Sequence, residues 1–128
     1  TSMNTGVQEF CVVLYSKLAI NAFDIPEPPT MPSGLSFTQW IVTVEKVGNI
    51  GFISFNNCGN MDASVSMVKF CTIPVGYRPK IKRFVSYSSQ HGIAMLLTID
   101  IDGSLELFNN GVVSGGFILR QSISYRLQ

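Results

Sequence analysis

Short apolar alternations cut off by turn residues constrain this chain more than any other feature. In TQWIVTVEKVGNIGFISF, Trp40, Val42 and Val44 share one face of a strand, with Lys46 in register behind them. Ile41, Thr43 and Glu45 take the other face, because side chains alternate across a pleated strand. Gly48-Asn49 then turns the chain into a second strand. The spacing predicts strands at Glu9–Leu18, Phe37–Val47, Ile50–Phe55, Ser64–Phe70, Lys82–Ser88, Ile93–Asp100, Leu105–Phe108 and Phe117–Arg126. The first of these, within EFCVVLYSKLAINAF, is apolar enough for a buried helix, but its Val and aromatic content favours a strand. Asp102-Gly103 marks a further hairpin, since both residues tolerate positive φ. Asn56-Asn57-Cys58-Gly59-Asn60 and Asn109-Asn110-Gly111 read as loops. DIPEPPTMPSG, residues 24–34, holds four prolines and reads as a long ordered loop or a surface-hugging extended segment. Regular short strands with turn signals specify an all-β domain, an antiparallel β-sandwich or jelly roll.

The 128 residues fit one domain, which can bury a core without disulfides or metals. Charged residues make up 13% of the chain against 46% hydrophobic. So low a charge implies that surface is buried against another chain or is covered by neutral polar groups. A net charge of +1 gives no global field toward nucleic acid or anionic lipid. No apolar run is long enough to span a membrane. TSMNTGVQEF has neither the basic start nor the apolar block of a signal peptide, and it reads as the start of a fragment of a longer chain. Cys11, Cys58 and Cys71 are odd in number and widely spaced, which fits free thiols in a reducing compartment rather than a disulfide framework.

Catalytic signatures are sparse. His91 is the only histidine, and GxSxG, HExxH and a phosphate-cradling glycine loop are all missing from the sequence. A Cys–His pair from Cys58 or Cys71 with His91 competes with the simpler reading of unrelated residues in a sheet. The Cys and His spacing is wrong for zinc. Asp100 and Asp102 share a strand face as a calcium or acid–base pair would, yet the Asp-Gly turn explains the second without a ligand. We therefore expect no enzyme, no cofactor and no metal. Arg78, Lys80, Lys82 and Arg83 read either as lysine protection of an edge strand or as a contact with a phosphate-bearing polymer. Trp40 is either core or the stacking platform of a sugar site. His91, in SSQHGIA, is either a solvated loop residue or a hydrogen-bonding partner of a sugar hydroxyl.

One elbow organises the second half. Ile73-Pro74-Val75-Gly76 fits a β-turn with Pro second and Gly fourth, and Pro79 suits the first position of a strand. TIPVGYRP, then an apolar strand, then LLTIDIDGSLEL and a final ISYRL together resemble the C-terminal head domains of bacteriophage tail fibres, baseplate proteins and receptor-binding proteins of tailed phages that infect Gram-positive bacteria. The resemblance covers about residues 70 to 128. It implies a homotrimeric β-sandwich, with residues 1–128 as one head domain at a tail tip or baseplate of the virion. It further implies adhesion to host cell-wall saccharide or a teichoic-acid-like polymer, with other tail or baseplate proteins as partners and no role for nucleic acid or membrane insertion. Tyr77 and Arg78 match the motif in a structural role. Expected ligand contacts are Trp40, His91, Tyr87, Arg83 and Asp62.

Overall fold

The computed structural model describes residues 20–62, 67–88, 94–109 and 115–128, and among them nine strands carry the alternation read from the sequence. The strands are β1 (Ile20–Asp24), β2 (Leu35–Gln39), β3 (Val42–Val47), β4 (Ile50–Met61), β5 (Met67–Thr72), β6 (Arg83–Ser88), β7 (Ala94–Ile99), β8 (Ser104–Asn109) and β9 (Gly115–Arg126). No helix occurs among the described residues, so none there is long and apolar enough to cross a membrane. All pairings are antiparallel, in two sheets. In the five-stranded sheet, β4 is central. It pairs with β9 along its whole length on one edge, and with β3 and then β2 end to end on the other. β1 flanks β3. The four-stranded sheet runs β5-β8-β7-β6. This is the antiparallel β-sandwich that the alternation specifies.

The two inner faces make the core. Val44, Ile53 and Ile123 lie in register across one sheet, and Leu97, Leu107 and Val68 across the other; all six are buried. Phe37 meets Phe70 of the opposite sheet and Phe117 of its own, each at 5.6 Å between centroids, and Trp40 stands edge-on to Phe37 at 4.9 Å. Gly59 makes room for this cluster. A Cβ there would collide with the carbonyl oxygen of Ser36 and lie 3.0 Å from the Phe117 ring.

Three local expectations are corrected. Residues 56–60 are not a loop: β4 runs through them, because both its edges stay paired and Asn57 turns inward. The expected Phe37–Val47 strand is two strands, broken at Trp40-Ile41. Asn57 stitches the break, its Oδ1 accepting the Ile41 N–H at 3.0 Å while Ile41 O accepts Asn56 N–H at 2.9 Å. The elbow is one residue later than expected. Tyr77 N–H donates to Pro74 O at 3.2 Å, which puts Gly76 third in the turn, at φ 98°. That is the position where a type II turn requires positive φ.

Other readings match. Gly48-Asn49 joins Val47 to Ile50 in direct register. The proline segment carries no strand between Ile25 and Gly34. Pro79 bridges Leu127 just ahead of β6. At the Asp-Gly hairpin, Asp100 N–H donates to Ser104 O and Gly103 N–H to Asp100 O, both at 3.0 Å. The loop therefore holds Ile101, Asp102 and a left-handed Gly103 (φ 86°), a three-residue form of hairpin. The expected strand at Glu9–Leu18, the loop residues Asn110-Gly111, and Cys11 lie outside the described residues.

Candidate functional site

The alternation that turns leucines inward on β7 and β8 turns a second apolar set outward. On the outer face of the four-stranded sheet, Ser86, Leu96, Phe108 and Met67 lie in one register row across β6, β7, β8 and β5. The next row is Phe84, Thr98, Glu106 and Lys69. Phe84 is 59% exposed and Met67 55%. Large apolar side chains on a solvent face favour contact with something other than water. An open cleft of about 480 Å³ lies here, lined by Ser86, Tyr87, Ser88, Ala94, Met95, Leu96 and Phe108. Ser88 and Ala94 pair at its end of the sheet.

Of the expected contact residues, Tyr87 lines this cleft, though its ring packs toward the core. Its hydroxyl donates to Met95 Sδ at 3.7 Å, and burial pushes the phenol well above its ordinary range. Arg83 sits at the opposite end of the same strand, exposed. Trp40 belongs to the other sheet. Its indole N–H donates to Ile25 O at 2.7 Å, and its free side borders a separate hollow of about 500 Å³ with Asp24, Pro26, Glu27 and Ile41. Asp62 follows β4 and lines a third hollow, of about 340 Å³, with Gly34, Ser36 and Asn60. The Asp62 N–H donates to Gly34 O at 2.7 Å. Trp40, Asp62 and Tyr87 thus line three different depressions. His91 lies outside the described residues.

The basic elbow divides its work. The Arg78 Nε donates to Ile73 O at 2.8 Å and locks the turn. Lys82 pairs with Asp100 at 3.6 Å and lies 5.5 Å from the Phe84 ring centre. β6 is the outer strand of its sheet, which agrees with lysine protection of an edge. Asp100 and Asp102 each cap backbone. Asp100 Oδ1 accepts Ile101 N–H at 2.7 Å, and Asp102 Oδ1 accepts Ser104 N–H at 2.9 Å. Hydrogen bonds from Ser104 hold the Asp102 carboxyl below its usual range. Among the described residues no three His, Cys, Asp or Glu side chains gather to hold a metal.

Phe108, Leu96 and Met67 are the residues the sequence reading missed. The available signal was an aromatic on the wrong face of LELF, where Leu105 and Leu107 already supply the inward side.

No protein-family description matches the chain, and no curated protein resembles it in sequence. Solved structures similar in fold include the receptor binding protein (gp15) of Listeria phage PSA. The two superpose with a TM-score of 0.60 at 10% identity, over 98% of this chain and 76% of that one. At that identity the likeness is one of fold.

Proposed function

We propose that this domain is a non-catalytic receptor-binding head of a phage tail protein, adhering to saccharide or a teichoic-acid-like polymer of the host cell wall. The observation that carries the reading is the outer face of the four-stranded sheet. It offers an open cleft with aromatic, aliphatic and hydroxyl lining on a rigid antiparallel scaffold. Sugars meet proteins through such mixed surfaces, apolar ring faces on aromatics and hydroxyls on polar neighbours. Two independent features agree with it: the fold is shared with a phage receptor binding protein, and the TIPVGYRP elbow resembles phage tail heads. The head works as a homotrimer at the tail tip or baseplate, beside other tail proteins. Weak single contacts are then multiplied by display in several copies, which raises avidity by ~10²–10⁴. Trp40, Tyr87, Arg83, Asp62 and His91 are the further contacts this reading puts to mutational test.

A second reading is a trimerisation or attachment module without ligand. It is favoured by Val75 and Ile81, 78% and 71% exposed beside the elbow. Sedimentation of the labelled chain with host cell walls separates the two. A receptor-binding head co-sediments and is displaced by soluble wall polymer, whereas a purely structural module stays in solution. Release of reducing sugar from the same walls would overturn the non-catalytic part.

A further inference from the structure

We infer that the cleft on the outer face of the four-stranded sheet holds a neutral hexose unit, with Phe108 as its aromatic wall and Ser86 and Ser88 as its hydroxyl partners. The inference rests on the receptor-binding reading and goes further, because it fixes both the place and the charge class of the ligand. Five of the seven lining residues, Ser86, Ser88, Ala94, Leu96 and Phe108, belong to the outer face by their pairing register. A volume of about 480 Å³ suits one sugar ring with room for its neighbours in a chain, within the ~300–1,000 Å³ of small-molecule sites.

Charge decides between a neutral sugar and a phosphate. None of the seven lining residues is ionised at neutral pH, since the only titratable one is the Tyr87 phenol. Among the described residues, the nearest charges along the register are Lys69 and Glu106, one row away. They stand directly opposite each other with opposite signs, so together they bring no net positive charge toward the cleft. Phosphate recognition uses Arg or Lys forks, or convergent backbone N–H groups. β7 and β8, paired on both sides, spend their backbone groups on the ladder at this point, and the edge strand β6 presents its remaining N–H groups singly along the strand rather than converging. What remains is an apolar wall of Phe108, Leu96 and Ala94 with two short hydroxyls, each able to donate and accept.

The test titrates the purified full chain with methyl glycosides of glucose, galactose and N-acetylglucosamine, and with glycerol 1-phosphate. Methyl NMR shifts of Ala94, Leu96 and Met67 are the readout, and wall sedimentation runs in parallel. At least one neutral glycoside is expected to move these methyls with little dependence on salt, while glycerol phosphate leaves them in place. Phe108→Ala should weaken that binding about tenfold and Phe108→Tyr should preserve it. Ser86→Asp, on an exposed edge position, should abolish it without unfolding the chain. Glycerol phosphate acting where the sugars do not, no ligand acting at all, or Phe108→Ala leaving sugar affinity unchanged would each overturn the inference. If the chain still sediments with walls in those cases, the receptor-binding reading survives. If the wild-type chain fails to sediment, the reading falls with it.

Discussion

The two sheets have equivalent inner faces and unlike outer faces. Outside the five-stranded sheet, polar groups satisfy one another. Asn56 Oδ1 accepts from Arg120 Nε at 3.1 Å and from Gln39 Nε2 at 3.2 Å. Thr43 Oγ1 donates to Asp24 at 2.9 Å, and the hydroxyls of Ser54 and Ser122 lie 3.4 Å apart. Its exposed apolar residues are set apart from one another: Ile50 at 38% and Phe52 at 39% near the β3–β4 turn, Ile41 at 51% at the β2–β3 break and Phe23 at 45% on the flanking β1. Outside the four-stranded sheet, Leu96, Phe108 and Met67 make an apolar row, with Phe84 exposed in the next row beside Thr98. Folding demands the inner faces of both sheets and neither outer face. The outer faces therefore differ in what they present: one carries paired polar groups with scattered apolar residues, and the other a register row of apolar side chains beside an open cleft.

The comparison breaks if inner and outer residues prove energetically alike. Leu107→Ala, in the fully buried core, should cost ~2–5 kcal/mol in urea unfolding. Phe108→Ala, its outward and half-buried neighbour on β8, should cost about 1 kcal/mol while reducing wall binding. A Phe108 cost close to that of Leu107 would make the outer face part of the core.

Gly59→Ala tests the aromatic seam that joins the sheets. Its new Cβ meets Ser36 O and the Phe117 ring, and overpacking of this kind costs ~1–3 kcal/mol. A thermal melt unchanged from wild type would mean that β2 and β4 do not approach as closely as described.

Alkaline stability sharpens the picture at the elbow end. Tyr125 Oη donates to Tyr77 O at 2.6 Å, and burial raises its phenol from 10.0 to about 12. A folded pKa above the unfolded one means that the native state holds the proton more tightly. The stabilisation is complete below pH 10 and is lost as pH climbs from there toward about 12. Tyr125→Phe should flatten that part of the profile. Tyr87 titrates upward in the same sense, so some alkaline loss remains in the variant.

The smallest effect belongs to the polar face. Arg120→Ala removes an exposed hydrogen bond to Asn56 and should lower stability by no more than about 0.5–1 kcal/mol, with wall binding unchanged. A loss of binding there would move the contact surface to the other sheet.

Local signals in the sequence carried much of this fold. Gly48-Asn49, the proline segment and the apolar face of β3 depend on neighbours a few residues apart. β4 was illegible at Asn56–Asn60 because Asn and Gly punctuate loops in isolation. Here strands distant in sequence, β2 and β9, supply the pairing. The elbow slipped by one residue because Ile73, which the turn was expected to include, instead donates its N–H to Gly103 O at 2.7 Å. The site was legible only at Tyr87. Phe108 and Met67 become neighbours through a register between strands about forty residues apart in the chain, and composition cannot show whether an aromatic faces in or out.

Methyl NMR mapping of the labelled chain on soluble host cell-wall polymer tests the asymmetry of the two faces most directly. The account predicts shifts at Met67, Ala94 and Leu96, with Val47, Ile50 and Ile118 of the five-stranded sheet unmoved. Shifts confined to the second set, with the first unmoved, would contradict it.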